Sequence, residues 1–377
     1  MELDYHLQLS KSGSRQNLLI VFSDFLPTNP GPGKFAFRHI FNNWDGNFLY
    51  VRDVGNHWYN RGLHGLGGSV PETAHKLKEL VDAHGFESVN TFGASMGGYA
   101  AILYGRILKA RKVVATSPQT FLASPYPRFN PSYHAGDYQD LSCSSLEAVR
   151  EEILVSVDEL FDLYSALRMK LGVRRGQASG RIAIIPLLGC SHLIPRAFLN
   201  AGVLDLFLRQ VACGEDLMTV VGSFVKDGDI ESAFNKLAEV VESFYGGQYE
   251  AALSALEHLA MDNPDWAGVH FFRGEVYKML GAQGAKIECY SRAVDLNPAL
   301  FQASLELARY YLAAKDYPQA LRHVASAYKA NISYKKVVFP LLKAMLVAGV
   351  ESSEIAEAMR GVGFPELELG ELLEIGR

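Results

Sequence analysis

The chain has 377 residues, enough for two or three domains, and 49% of them are hydrophobic, enough to form a packed core. A formal net charge of −5 and a pI near 6.1, with no basic run, argue against a nucleic-acid-binding protein. The four cysteines lie far apart without metal-binding spacing, so we expect neither a disulfide framework nor a metal site. We also expect no cofactor. The first apolar run, 18–22, is too short for a signal peptide, and no stretch reaches the ~20 apolar residues of a membrane span. We therefore expect a cytoplasmic protein that does not cross a membrane.

Short apolar runs alternate with helical patterns in the first half, which is typical of a mostly parallel α/β sheet flanked by helices. Residues 3–9 alternate loosely and predict an edge strand. Buried strands are predicted at Asn17–Phe22, Asn47–Asp53, Val89–Phe92, Lys112–Thr116, Glu152–Val157 and Gly180–Leu188. Helices are predicted at Pro71–His84, Gly97–Tyr104, Leu163–Leu171 and Leu199–Ala212.

Two loops follow the first two buried strands, at the edge where open α/β sheets bind ligands. Phe25 lies in the first loop, which prolines and glycines then extend. The second loop, 55–62, carries Trp58 and Tyr59, which are candidates to contact a substrate. His57 in the same loop is a substrate-contacting or structural residue.

The sequence Gly93-x-Ser95-x-Gly97, between a predicted strand and a predicted helix, has the pattern of a nucleophile elbow. A serine aimed out of such a tight turn has a strained backbone, and the residues two positions away must be small. The turn also leaves backbone N–H groups at a helix N-terminus, where an oxyanion can form. The alternative is an ordinary surface serine on a glycine-rich turn.

Residues 118–145 are rich in proline, tyrosine and phenylalanine and predict an insertion that covers the sheet. Tyr126 in this insertion is a further candidate for a substrate wall. Alternatively, its aromatic residues pack on the domain surface.

An acidic residue and a histidine follow the last two predicted strands. Asp158 and Asp162 come after the strand 152–157, and His192 comes directly after the strand 180–188. With Ser95 they give the order serine, aspartate, histidine, which differs from the two major serine-protease orders. Asp162 could instead cap a helix, and His192 could be an ordinary loop histidine.

On these residues, the region 1–212 resembles the α/β-hydrolase superfamily. The resemblance implies Ser95 as nucleophile and His192 as general base and then acid. It implies an aspartate that orients His192. Asp162 is preferred, with Asp158 as the alternative, because family acids lie a few residues past the strand and just before a helix. The backbone N–H groups of Met96 and of Phe25, or of its neighbour Asp24, would form the oxyanion hole.

After residue 212 a repeat begins. The dipeptides Asn263-Pro264 and Asn297-Pro298 are 34 residues apart (297 − 263), and Ala252 and Ala320 occupy positions two such periods apart. Residues 233–332 resemble about three tetratricopeptide repeats, which implies a protein partner. The middle repeat departs from the pattern at Lys286, which corresponds to Ala252 and Ala320, and at Gly274, which corresponds to Ala308, and Ile332 replaces the third proline. Residues 335–377 predict further helices that cap the stack.

We therefore predict an α/β-hydrolase domain (1–212), a connecting segment (213–232) and an all-α tetratricopeptide-like domain (233–377). The expected activity is cleavage of a small-molecule or glycan acyl ester through an acyl-serine intermediate. The glycan is suggested because the loop around Trp58 and the segment 117–119 resemble bacterial hydrolases of polysaccharide or glycoconjugate assembly. The alternatives are an acyltransferase with the same triad and a non-catalytic interaction scaffold. Residues 1–215 are expected to suffice for activity on a small ester.

Overall fold

The computed structural model describes residues 3–25, 33–122, 138–143, 149–171, 181–226, 228, 230–331 and 335–374. The chain divides into two compact units, Met1–Leu188 with Phe198–Phe234, and Gly189–Ala197 with Asn235–Arg377. The first unit contains a sheet with flanking helices, and the second is helical. The predicted fold class, a mostly parallel α/β sheet followed by an all-α region, is confirmed.

The described part of the chain contains seven strands in one sheet, in the order β1-β3-β2-β4-β5-β6-β7. They are β1 (Tyr5–Gln8), β2 (Asn17–Phe22), β3 (Asn47–Val51), β4 (Ser88–Ala94), β5 (Lys112–Thr116), β6 (Glu151–Ser156) and β7 (Ile182–Leu187). β1 pairs antiparallel with β3, and all other pairs are parallel. The first strand is the edge strand expected from its alternating sequence.

The parallel strands are buried along most of their length, as continuous apolar runs should be when helices cover both faces of a sheet. Their carboxyl ends share one edge of the sheet. The register there pairs Phe22 with Gly93, Ala94 with Thr116, and Ser156 with Leu187. Residues that directly follow these strands therefore leave the sheet at a common edge.

Among the helices that begin before residue 230, the helix Val70–His84 matches its predicted bounds, Pro71–His84, to within one residue. These helices are α1 (Arg38–Phe41), α2 (Val70–His84), α3 (Met96–Ile107), α4 (Leu160–Leu171), α5 (Ile194–Asn200), α6 (Leu204–Cys213) and α7 (Met218–Val221). In α2, the Ser69 side chain accepts a hydrogen bond from the Glu72 amide, and Gly85 ends the helix at a φ of 66°. Short 3-10 turns follow at Gly222–Phe224 and Ile230–Ala233.

One predicted helix, Leu199–Ala212, is two helices in the structure. α5 ends at Asn200 and α6 begins at Leu204, and Gly202 between them has a φ of 73°. The Gly202 amide donates to the Leu199 carbonyl at 3.0 Å. The prediction of one helix was wrong, because a left-handed glycine ends the first helix while the apolar spacing continues past it.

The helix α3, which follows the elbow, is buried from its first residue to Arg106. Near its end, the Arg106 guanidinium forms two hydrogen bonds with Glu151 of β6, at 2.6 and 3.0 Å. A third bond from this guanidinium, at 2.9 Å, goes to the Leu141 carbonyl. Because the ion pair is buried and two-pronged, it fixes the far end of α3 against the sheet.

The helices after residue 233 repeat with a constant period. They are α8 (Phe234–Tyr245), α9 (Tyr249–Asp262), α10 (Ala267–Met279), α11 (Gln283–Leu296), α12 (Phe301–Ala313) and α13 (Tyr317–Ala330). The starts of α9, α11 and α13 are 34 residues apart (283 − 249 and 317 − 283), as are those of α10 and α12 (301 − 267). The 34-residue period of the sequence is therefore a period of helix pairs.

Packing explains why the middle repeat has glycine at position 274, where the next repeat has Ala308. A Cβ atom at Gly274 would lie 2.4 Å from the ring of Tyr290, which is fully buried. Tyr290 occupies the position held by Leu256 and Val324 in the neighbouring repeats, 34 residues away on either side (290 − 256 and 324 − 290). The larger ring on α11 is thus accommodated by a missing side chain on α10.

Three further helices, α14 (Lys335–Val347), α15 (Ser352–Arg360) and α16 (Glu366–Glu374), follow the repeats, as predicted. Their buried side chains, among them Met345 and Met359, form one apolar cluster with residues of α12 and α13. Throughout the described ranges, no helix combines the length and apolar character needed to cross a lipid bilayer.

Candidate active site

Ser95 lies alone between β4, which ends at Ala94, and α3, which begins at Met96. Its backbone has φ 52° and ψ −119°, a combination that non-glycine residues rarely adopt. Two hydrogen bonds hold this conformation: the Ser95 amide donates to the Thr116 carbonyl of β5 at 2.9 Å, and the Ser95 carbonyl accepts from Tyr99 at 3.1 Å. The surrounding structure thus maintains a strained serine at the start of a helix, as the elbow pattern predicts.

The two glycines of the elbow have no room for a side chain. A Cβ atom at Gly93 would lie 2.1 Å from the carbonyl oxygen of Gly97. A Cβ atom at Gly97 would lie 2.2 Å from the carbonyl oxygen of Phe22, at the end of β2. Both obstacles are backbone atoms, which cannot rotate away as a side chain can. The turn is therefore closed tightly against the neighbouring strand.

We expect Gly97→Ala to destabilise the first unit by about 1–3 kcal/mol, because the new methyl group would overlap the Phe22 carbonyl. Urea unfolding, followed by tryptophan fluorescence, measures the free energy of unfolding. Gly98→Ala is the matched control, since a Cβ atom there would come no closer than 3.2 Å to Pro118 and 3.3 Å to the carbonyl oxygens of Gly93 and Thr116, against 2.2 Å at Gly97. Equal stability of the two variants would contradict the tight closure of the elbow.

The candidate oxyanion donors follow the ends of neighbouring strands. Met96 is the first residue of α3 and is fully buried. Its N–H is one of the first four of a helix, which have no acceptor within the helix itself. Phe25 follows the last residue of β2, Phe22, by three positions, and its side chain is 65% exposed. Since β2 pairs directly with β4, both donors follow strands that end at the same edge.

Both candidate acids follow β6 and are buried, Asp158 to 3% exposure and Asp162 to 4%. The Asp158 amide donates to the Ser156 side chain at 3.2 Å, so Asp158 belongs to the short connection between strand and helix. α4 begins at Leu160, three residues earlier than predicted, and Asp162 lies in its first turn. Asp158 therefore meets the criterion that favoured Asp162 in the sequence, which is a location past the strand and just before the helix.

His192 follows the last residue of β7, Leu187, by five positions and belongs to the second compact unit. It is half-buried, between Cys190 and Ile194, which are both fully buried. The Ser191 side chain accepts a hydrogen bond from the Leu193 amide at 3.4 Å. His192 is thus held in a short, locally closed turn just before α5.

The loop after β3 is held mainly by hydrogen bonds of Tyr59. Tyr59 is fully buried, and its single hydroxyl hydrogen is shared between the Ser23 carbonyl at 2.8 Å and the Val51 carbonyl at 3.2 Å. Its amide donates to the Asp53 carboxylate at 2.9 Å. Trp58, also buried, packs with its ring perpendicular to that of Tyr99. These contacts make the Tyr59 ring part of the domain interior.

Sequence reasoning missed the role of Asp53 in this loop. Burial raises the pKa of the Asp53 carboxyl, and the hydrogen bond from Tyr59 opposes that change. Burial also raises the pKa of the Tyr59 phenol well above its usual value. The signal that could have revealed Asp53 is its place between a strand end and a Gly-Asn turn, where a carboxylate accepts nearby amide protons. Tyr126, the third predicted substrate residue, lies outside the described residues.

A row of buried polar groups lies beside the elbow, in part within the segment 117–119 that the sequence singled out. The side-chain oxygens of Thr116, Ser117 and Gln119 are buried and have no hydrogen-bond partner within the described part of the chain. Thr116 is the residue whose carbonyl accepts from the Ser95 amide. Buried polar atoms normally have a partner, and at the end of β5 three side-chain oxygens without one among the described residues lie within four consecutive positions, 116–119. Its signal was the polar run that directly follows an apolar strand.

No protein-family model and no curated protein matches this sequence. Among solved structures, it is similar to the capsule O-acetyltransferase of Neisseria meningitidis serogroup A, with 14% identity and a TM-score of 0.39 over 55% of this chain and 90% of that one. It is also similar to an α/β serine hydrolase without a lid from Xanthomonas campestris, with 14% identity and a TM-score of 0.34 over 55% and 88% of the two chains. MenH from S. aureus has 11% identity and a TM-score of 0.36 over 56% and 98%. Each alignment covers a little over half of this chain.

Proposed function

We propose that this protein is a serine hydrolase that cleaves an acyl ester through an acyl-Ser95 intermediate. The observation that carries the proposal is the backbone of Ser95, at φ 52° and ψ −119° immediately before a buried helix. A strained serine at this point aims its hydroxyl out of the turn, beside N–H groups that can stabilise a negative oxygen. An ordinary surface serine has no need of a conformation that costs about 1–3 kcal/mol.

In the proposed reaction, His192 takes the proton of the Ser95 hydroxyl as the oxygen attacks the acyl carbonyl carbon. The N–H groups of Met96 and Phe25 donate to the oxyanion of the tetrahedral intermediate. His192 then gives its proton to the leaving alcohol as the ester C–O bond breaks, which leaves the acyl group on Ser95. A water molecule, deprotonated by His192, attacks this acyl group, and Ser95 recovers its proton as the acid leaves.

The carboxylate that orients His192 is either Asp158 or Asp162 in this proposal. Such a group fixes the tautomer of the imidazole and stabilises its protonated form. Two observations support a buried acid at this place: both carboxylates are nearly inaccessible to solvent, and both follow the end of β6 within six residues of Ser156.

As substrate we propose a small-molecule or glycan acyl ester, on a polysaccharide or glycoconjugate. Trp58, Tyr59 and Tyr126 are the residues proposed to form its site, with Trp58 and Tyr59 acting through the loop that they hold because both of their rings are buried. If a sugar hydroxyl replaces water in the second step, the same intermediate gives acyl transfer. Product analysis with and without an added glycan acceptor distinguishes hydrolysis from transfer.

A protein-binding role is proposed for the helical unit. The repeated helix bounds, with a 34-residue spacing between α9, α11 and α13, support its assignment as a tetratricopeptide-like array. Such arrays bind partner proteins on extended surfaces. The same feature favours the second candidate function, a non-catalytic scaffold in which the sheet domain has no chemistry of its own.

A fluorophosphonate probe distinguishes the two functions, because it phosphonylates a serine only when a base activates its hydroxyl. We expect labelling of the full-length protein at a single peptide that contains Ser95, identified by mass spectrometry, and no labelling of Ser95→Ala. Ser88→Ala, at the opposite end of the same strand, is the control and should label like the wild type. An unreactive wild-type protein would favour the scaffold.

A further inference from the structure

A buried hydrogen bond joins the turn that carries His192 to the helical repeats. The side-chain amide nitrogen of Asn297 donates to the carbonyl oxygen of Cys190 at 2.8 Å. Asn297 is 2% exposed and Cys190 is fully buried, and the two are 107 residues apart in the sequence. The bond therefore joins the repeats to a main-chain atom two residues before the proposed base.

The orientation of the Asn297 amide is fixed by a second bond. Its side-chain oxygen accepts from the Ala299 amide at 2.9 Å, so the nitrogen is the atom that faces Cys190. Exchanging the two atoms would set the NH₂ group against the Ala299 N–H and the oxygen against the Cys190 carbonyl, which is unfavourable at both ends. The donor is thus aimed at the turn by the repeat itself.

The equivalent asparagines of the repeats show that helix capping does not require this bond. Asn263, Asn297 and Asn331 are 34 residues apart, and each follows the last residue of its helix with its amide bonded to the carbonyl four residues earlier. The Asn263 side chain donates to Leu259 of its own helix at 3.3 Å, whereas that of Asn297 reaches Cys190. The three asparagines thus share the backbone hydrogen bond, whereas the side chain of Asn297 bonds to a different partner from that of Asn263.

The anchored carbonyl lies where it can control His192. Cys190 and Ile194, on either side of the histidine, are fully buried, and the Ser191 side chain closes the turn onto Leu193. With the Cys190 carbonyl bonded to Asn297, the main chain on the N-terminal side of His192 has little freedom to shift. A general base must keep its ring nitrogen within hydrogen-bond reach of the nucleophile, so small shifts of this turn are costly.

We propose that Asn297 is a positioning residue for His192, through which the repeat domain sets the geometry of the catalytic base. The inference rests on the proposed function, because it assumes that His192 is that base. It also changes the expectation that residues 1–215 suffice for activity, since a chain of that length lacks Asn297. A partner that shifts the helices α11 and α12, which flank Asn297, would alter the rate at Ser95.

The test uses the full-length protein and two substitutions. Asn297→Asp keeps the acceptor for Ala299 but sets a carboxylate oxygen against the Cys190 carbonyl, and Asn297→Ala removes both groups. We expect each to slow fluorophosphonate labelling of Ser95 and turnover of a soluble ester by ~10²-fold, with kcat affected more than KM. Asn263→Asp, the matched change at the equivalent position, should keep the wild-type rates.

The extent of labelling separates positioning from folding. A mispositioned base slows the reaction but still allows complete labelling, whereas partial unfolding lowers the fraction that can be labelled, in parallel with helicity measured by circular dichroism. Wild-type rates in both Asn297 variants, or a reduced labelled fraction without a slower rate, would overturn the inference. A wild-type protein that does not react at Ser95 would instead overturn the proposed function itself.

Discussion

Ser95→Ala is expected to lower kcat on a soluble ester by on the order of 10⁶-fold, and His192→Ala by a similar factor. The double variant should lose no more than either single one, because a nucleophile without its base and a base without its nucleophile are equally ineffective. Steady-state kinetics on all four proteins, with circular dichroism to check folding, measures this non-additivity. It tests directly whether the two residues act as a unit.

The rival base is His57, which also follows a strand end. Its carboxylate neighbour Asp53 interacts with it electrostatically, so the two residues could be mistaken for an acid and base pair. We expect His57→Ala to change kcat far less than His192→Ala. If His57→Ala is the more damaging change, or if the effects of Ser95→Ala and His192→Ala multiply, the assignment of His192 fails.

Asp158→Asn is expected to lower kcat by up to ~10⁴-fold, because an asparagine holds the histidine in the wrong tautomer and does not stabilise its charge. The sequence ranks Asp162 first, but the observed start of α4 at Leu160 makes Asp158 the residue between strand and helix. Asp162 lies in the first turn of α4, where a carboxylate stabilises a helix by typically about 0.3–1 kcal/mol. Asp162→Asn should therefore lower the free energy of unfolding while changing kcat little.

Two measurements on both aspartate variants separate these roles. Esterase kinetics gives the change in kcat, and urea unfolding gives the change in the free energy of unfolding. On this assignment, Asp158→Asn should give the larger loss of kcat, and Asp162→Asn should give the larger loss of folding free energy relative to its loss of kcat. A large loss of kcat in Asp162→Asn with a mild effect of Asp158→Asn would restore the ranking made from sequence.

The sequence determined the local elements of this protein well. Continuous apolar runs predicted β2 and β5 with the bounds that the structure gives, because a strand covered on both faces needs apolar residues throughout. The constant 34-residue spacing predicted the repeated helix pairs, since each pair must present the same apolar faces to its neighbours. The glycine spacing around Ser95 predicted the tight turn, because backbone atoms occupy the space that a side chain at Gly93 or Gly97 would need.

Only the tertiary structure decided what depends on contacts between distant residues. The order of the strands, the start of α4 and the division of 194–213 into two helices follow from packing and from one left-handed glycine, which apolar periodicity does not encode. The same holds for the turn that carries His192, which groups with the helical unit and is bonded to Asn297 across 107 residues. A motif records which residues a turn needs, whereas the partner of a buried carbonyl is fixed only when the whole chain has folded.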